Sequence, residues 1–222
     1  QIYPINIIKT EIKKDIKIIF ISNIKIKKNN EVNKIWNKNK RKFLNKFDLI
    51  DNISFWKNNI SNKNDEYKFF IYKEIKSLLR LEIVKLLKKK FKNKMIIVGN
   101  DWKKFNINSL NNNYDSNFTK EMYNGNICLD TGSIEGSASL YPRSIQIIEA
   151  GGLILQAKQK DSNVIWNNLK KKILFNNIHE ATNLIDEYIH NNILCKNIVN
   201  KININFNYSE KKIEKNLGKI FK

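Results

Sequence analysis

The sequence predicts an α/β fold in which a parallel sheet is flanked by helices. Three observations predict it. Short apolar runs rich in Ile recur along the chain, within 15–24, 94–101, 126–133 and 153–157. Longer segments with apolar residues at helical spacing separate them. Six of the seven glycines lie between 99 and 152, where several of those runs end. Alternation of this kind favours parallel pairing, because a parallel crossover needs a connection long enough to hold a helix.

Each element can be justified in chain order. "DIKIIFISNI" (15–24) is dominated by Ile and reads as a buried strand. Residues 31–60 set Trp36, Phe43, Leu44, Phe47, Leu49, Ile50, Phe55 and Trp56 among Lys and Asn, and read as helix. "SNKND" (61–65) is a loop by composition. Residues 66–91 read as one long helix, with Ile75, Leu78, Leu79, Ile83, Leu86 and Leu87 on its apolar face. Lys88, Lys89 and Lys90 sit in its last turn, where cations suit the helix dipole. "KMIIVGND" (94–101) is a strand ending in a turn at Gly99. A polar loop follows, then a short helix over "SNFTKEMYN" (116–124). "NICLDTGS" (126–133) is a strand running into a glycine turn, and residues 134–140 form a loop of small residues. "PRSIQIIEA" (142–150) opens a helix with Pro142 in its first turn, and Gly151 and Gly152 end it. "LILQA" (153–157) is a strand. Helices are expected over 161–171 and 178–192, separated by the run "ILF" (173–175), and a closing helix over "YSEKKIEKNLGKIFK" (208–222).

The formal net charge is +20, which by itself suggests nucleic acid or an anionic membrane. Two features weaken that suggestion. The only arginines are Arg41, Arg80 and Arg143, whereas nucleic-acid sites favour the bidentate contacts of Arg. The lysines are also dispersed along the chain, as expected where an AT-rich genome sets the codons for Lys, Asn and Ile. No specific nucleic-acid partner is therefore expected. Cys128 and Cys195 give neither a disulfide framework nor a metal spacing. No apolar stretch approaches the ~20 residues of a membrane span, and no signal-peptide pattern is visible. A cytoplasmic setting is expected, with peripheral contact to a membrane as its variant. The chain begins at Gln1 rather than Met, so a fragment or processed piece of a longer protein is expected.

The glycine cluster carries the functional signal. Gly99, Gly132 and Gly136 each follow an apolar run, and in open α/β sheets ligands bind beyond the carboxyl ends of the strands. The loop "TGSIEGSAS" (131–139) adds four hydroxyl side chains and leads into the helix at Pro142. A small-residue loop before a helix N-terminus suits a phosphate, and Arg143 adds a bidentate charge. Plain turn chemistry explains the same glycines equally well. Neither GxGxxG nor GxxxxGK[ST] is present.

Taken together, "MIIVGNDW", "ICLDTGS", "GSASLYPRSIQIIEAGG", "LILQ", Asp161 and "ILFNNIHEATNLIDEYI" resemble the nucleotide-sugar-binding half of GT-B glycosyltransferases. The nearest flavour is the group-1-like, spore-maturation-type branch. The resemblance covers residues 94–192 well and 15–93 loosely. It implies a Rossmann-like C-terminal domain holding a nucleotide-diphosphate sugar as donor substrate, with no other cofactor and no metal. It implies a nucleotide-sugar site of Gly132, Ser133, Gly136, Ser137, Arg143, Gln146 and Glu149, the loop and Arg143 facing the diphosphate. Gln146 stands where that family carries the carboxylate that holds the ribose, and Glu149 lies one helical turn further on. On this reading residues 94–222 are the nucleotide-sugar-binding half with closing helices. Residues 1–93 are the first part of the same domain or the remnant of a linker to an N-terminal one.

The implied activity is metal-independent transfer of a sugar to a glycan, lipid or small acceptor. No catalytic residue is assigned. Asp130 fits either a cleft-facing role or a turn cap, and Trp102, beside Asp101, either a base-stacking platform or a packed aromatic. His179 is placed near a helix N-terminus and His190 in solvent at a helix end. Two competing readings remain: a non-catalytic basic domain that binds a polyanion or membrane surface, and a degenerate glycosyltransferase scaffold.

Overall fold

A computed structural model of the chain describes residues 13, 15–60, 63–111, 115–135 and 138–206, with the side chains at 53 and 57–59 excepted. Five short strands form the sheet: β1 (Ile18–Ile21), β2 (Met95–Val98), β3 (Ile127–Asp130), β4 (Leu153–Ala157) and β5 (Leu174–Phe175). Every pairing is parallel, and the strand order is β2-β1-β3-β4-β5. Four of the strands read IIFI, MIIV, ICLD and LILQA because a parallel sheet covered on both faces needs apolar side chains on both. Leu110 adds one parallel bridge outside β2: its N–H donates to Ile97 O at 2.9 Å and its carbonyl accepts from Gly99 N–H at 2.8 Å. With that rudimentary position the sheet has the strand order of a Rossmann domain.

The helices are α1 (Asn30–Asn45), α2 (Ile53–Ile60), α3 (Asp65–Phe91), α4 (Ser116–Tyr123), α5 (Pro142–Glu149), α6 (Ser162–Trp166), α7 (Lys170–Ile173), α8 (Ile178–Ile189) and α9 (Asn192–Phe206). α3 and α8 pack on each other and on the sheet; α4, α5 and α9 form a second group against it. α1 lies along α3. α3 is therefore buried on most of its circumference, including Glu74, Lys76, Ser77 and Arg80. Of its expected apolar face, Leu86 is exposed and Leu78 only half-buried.

Three expectations change in detail. The helix expected over 31–60 is broken by a 3-10 turn at Phe47–Asp51. There Phe47 N–H donates to Asn176 O at 2.7 Å and Asp48 N–H to Asn176 Oδ1 at 3.0 Å, so docking against the loop before α8 replaces helical bonds. The helix expected over 161–171 is split at Asn167, whose φ is 27°. The helix expected over 178–192 ends at Ile189, and α9 follows; the sequence reading did not place α9. The expected closing helix over 208–222 lies outside the described residues. β1, from the first part of the chain, is an interior strand of the sheet, flanked by β2 and β3.

Candidate functional site

The strand order reverses between β1 and β3, and the crevice beyond their carboxyl ends is where open α/β sheets hold ligands. Ser22 and Asn23 follow β1 on one lip; Thr131, Gly132 and Ser133 follow β3 on the other. The N-terminus of α5 closes the crevice from above β3. Pro142 supplies the first helical position, and Tyr141, at the N-cap, makes no side-chain capping bond. The positive end of the helix dipole thus faces the crevice without a side-chain cap.

Asp130, the last residue of β3, fixes this arrangement. Its carboxylate is 0% exposed. Oδ1 accepts from Gly132 N–H at 3.0 Å and from the Tyr141 hydroxyl. Oδ2 accepts from Ser144 Oγ at 3.0 Å and from Gln156 Nε2 at 2.8 Å. Strand end, loop, helix start and β4 are all joined at one carboxylate. Of the two roles open to Asp130, the structure shows the turn cap. Burial, and then the Asp130 charge, push the Tyr141 phenol well above its ordinary pKa, so it stays a donor.

Gly132 has φ +80° and offers neither half of its peptide to a ligand. Its N–H serves Asp130, and its carbonyl accepts from Arg80 Nη2 at 2.7 Å. A Cβ there would stand 2.3 Å from Gln159 Nε2, so backbone geometry and packing account for the glycine. Ser133 lines the crevice, and its Oγ accepts from Glu135 N–H at 3.1 Å. Gly136 and Ser137 lie outside the described residues.

Two guanidinium groups meet at the crevice. Arg80 reaches it from α3 and is 5% exposed. It donates from Nε to Thr131 Oγ1 at 3.0 Å and from Nη1 to Ser22 Oγ at 3.1 Å, besides its bond to Gly132 O, and so ties the two lips together. Arg143, in the first turn of α5, packs over the Tyr141 ring and donates to Tyr141 Oη and Ser22 Oγ, both at 3.4 Å. Those bonds are long, and Arg143 lines open clefts on two sides. Among the described residues no carboxylate comes within 4.0 Å of either group's nitrogens. Burial first, and then the charge of Arg143, push Arg80 down to about 10. Burial opposes the Arg143 charge too, but Tyr141, Asp130 and Tyr123 outweigh it and raise its pKa. Both are cations at neutral pH.

Arg143 and Tyr141 stand between two clefts. One, of 420 Å³, is lined by Ser22, Asn23, Thr119, Lys120, Gln146 and Glu149 together with them. The Gln146 amide and the Glu149 carboxylate, one turn apart on α5, therefore share a cleft with Arg143. Neither bonds to another described side chain. The other cleft, of 570 Å³, lies between α3 and the loop after β3 and holds Arg80 and Ser133. So the structure gathers Arg143, Gln146 and Glu149 on one side, and puts Ser133 beside Arg143 on the other.

The remaining sequence candidates fall away from the site. Trp102 is fully buried and donates to Ser22 O at 2.6 Å, which makes it a support of the β1 lip and not a stacking platform. Asp101 pairs with Lys104 at 2.6 Å. His179 is exposed in the first turn of α8 beside Asn183, and His190 is exposed at its end. Among the described residues no group of His, Cys, Asp and Glu gathers as a metal site, and no helix is long and apolar enough to cross a membrane. Arg80 was missed in the sequence. Its signal is an arginine within the apolar pattern "SLLRLEIV", on a helix with little room for an exposed face.

Fold and site together define a Rossmann-like α/β protein with a cationic crevice at its topological switch point. No known protein family, curated protein or solved structure matches the chain.

Proposed function

We propose that the chain binds a nucleotide-diphosphate sugar in this crevice and acts as a glycosyltransferase, or as the donor-binding part of one. One observation carries the reading: Arg143 sits at the N-terminus of α5, which has no side-chain cap, backed by Arg80, with no carboxylate of the described residues within 4.0 Å of either. A buried cation without a counter-ion is costly, and a diphosphate supplies the missing charge. The nucleoside lies in the 420 Å³ cleft, where Gln146 and Glu149 meet the ribose hydroxyls. Glu149 provides there the carboxylate that position 146 lacks.

In the transfer, the bond between the anomeric carbon and the diphosphate oxygen breaks, and its electron pair stays on the diphosphate. The acceptor oxygen bonds to that carbon and its proton leaves. Arg143 and the α5 dipole stabilise the charge that grows on the departing diphosphate. No side chain is assigned as the base.

Calorimetric titration with UDP-, GDP- and ADP-sugars tests the reading. One class of donor is expected to bind, and Arg143→Ala is expected to weaken it about tenfold or more, the worth of a charge-assisted bond. Binding by none of them, or an Arg143→Ala protein that binds like the parent, overturns it.

A further inference from the structure

The 570 Å³ cleft on the α3 side has a character of its own. Five cations reach it, Lys25, Lys27, Lys73, Arg80 and Arg143, against the carboxylates Glu66, Glu74 and Glu135. Two of those carboxylates are already engaged. Glu74 Oε2 accepts the Lys27 backbone N–H at 2.8 Å, and Glu135 pairs with Lys73 at 2.7 Å. Lys25 and Lys27 form no ion pair with a described residue. Beside the charges lie two aromatic faces. Phe69 is 48% exposed with Lys73 Nζ 5.3 Å from its ring centre, and Lys27 Nζ stands 6.0 Å from that of Phe70. The exposed Phe69 and the half-buried Phe70, next to the ammonium groups of Lys25 and Lys27 in one cleft, give a ligand both an apolar surface and a charge partner.

We propose that this cleft is a second binding site, for a ligand that carries a phosphoryl group next to an apolar or aromatic group. The doubly charged phosphoryl end meets Lys25, Lys27 and the outer side of Arg143, and the apolar part lies on Phe69 and Phe70. Calling this ligand the acceptor of the sugar rests on the donor reading of the neighbouring cleft; the binding itself does not. Arg143 then faces both ligands, which brings their reacting ends to one place. The Lys73–Glu135 pair crosses from α3 to the loop after β3, so Glu135 competes with the ligand for positive charge.

Amide chemical shifts of the labelled chain, titrated with phenyl phosphate, hexyl phosphate and inorganic phosphate, test the site. Shifts are expected at Lys27, Phe70, Ser77 and Ser133, with both esters tighter than inorganic phosphate. The tighter ester tells an aromatic from an alkyl source. Lys25→Ala with Lys27→Ala is expected to weaken the esters about tenfold, and Glu135→Gln to tighten them a few-fold. Replacing Lys34 and Lys38, exposed on α1 and not among the residues that line the cleft, with Ala is expected to change nothing. Ester binding that ignores the Lys25/Lys27 pair, falls equally with the Lys34/Lys38 pair, or shifts only the Gln146–Glu149 side overturns the proposal. Phosphate esters that bind as expected while no nucleotide sugar does would leave this site standing and remove the donor reading.

Discussion

Two buried cations lie one turn apart on α3, and the protein treats them differently. Lys76 is 9% exposed and faces an acid: Asp51 Oδ1 lies 3.4 Å from its ammonium group, and the Tyr72 hydroxyl 2.9 Å. Tyr72 in turn donates to Asp51 at 2.7 Å. Arg80 is as deeply buried, yet its three bonds go to neutral oxygens. Lys76 faces the 3-10 turn that carries Asp51; Arg80 faces the carboxyl end of the sheet. Where a buried charge only joins elements, the chain supplies the counter-charge. At the crevice no described carboxylate comes within 4.0 Å of Arg80 or Arg143, and Asp130 nearby already accepts from four donors. An anionic ligand would therefore meet guanidinium groups without a close acid partner among the described residues.

The largest expected effect comes from removing Asp130, the fully buried carboxylate at the crevice. Asp130→Ala takes the acceptor from the Gly132, Tyr141 and Gln156 donors and removes a negative charge that acts on both guanidiniums. The loss is expected at about 3–5 kcal/mol, read by urea unfolding. A loss below about 1 kcal/mol would break the comparison, because the crevice would then not depend on Asp130 for its shape.

Asp51→Ala takes from the buried Lys76 the acid that stands 3.4 Å from its ammonium group. A loss of about 2–4 kcal/mol at neutral pH is expected. Its pH dependence has a definite sign. Burial already lowers the Lys76 pKa, against the pull of Asp51. Without Asp51 the pKa falls further, so the unfolded chain binds more protons between the folded pKa and the ordinary lysine value. Stability of the variant relative to the parent is therefore expected to recover as pH rises through that window. A loss that stays constant up to pH 10 would show that Asp51 acts through Tyr72 and packing instead.

The strands were legible because covered parallel strands leave few alternatives to Ile, Val and Leu; "IIFI", "MIIV" and "LILQA" fall where the sequence placed them. α9 was missed although Cys195, Ile198, Val199, Ile202 and Phe206 follow helical spacing and are buried. In a chain where Ile and Asn recur everywhere, a short stretch "IVNKININF" does not stand out by composition. The breaks at Phe47 and Asn167 are set by tertiary docking and a single backbone angle, which local spacing does not encode. At the site, Arg143 was legible because a proline-led helix N-terminus announces itself. Arg80 was not, because its partners Ser22, Thr131 and Gly132 are 58, 51 and 52 residues away in sequence.

Arg143→Ala separates ligand binding from stability. Its two hydrogen bonds are both 3.4 Å long, and its removal relieves repulsion on Arg80. Stability is expected to change by less than about 1 kcal/mol, while affinity for the proposed nucleotide-sugar ligand is expected to fall about tenfold. A large drop in stability would place Arg143 with Lys76, among the cations that hold the fold.

The smallest effect completes the set on the same helix. Lys90, in the last turn of α3, pairs with Asp186 of α8, and both side chains are nearly half exposed. This cation, like Lys76, has an acid and joins two elements, but water already solvates it. Asp186→Ala is expected to cost no more than about 0.5 kcal/mol, read by thermal unfolding at low salt, and still less at high salt, where exposed pairs are screened. If it costs as much as Asp51→Ala, pairing rather than burial decides what a cation on α3 contributes, and the missing counter-ion at Arg80 loses its meaning. If it costs almost nothing, burial is what makes a counter-charge necessary, and Arg80 is the buried cation of α3 whose three hydrogen bonds go to neutral oxygens instead.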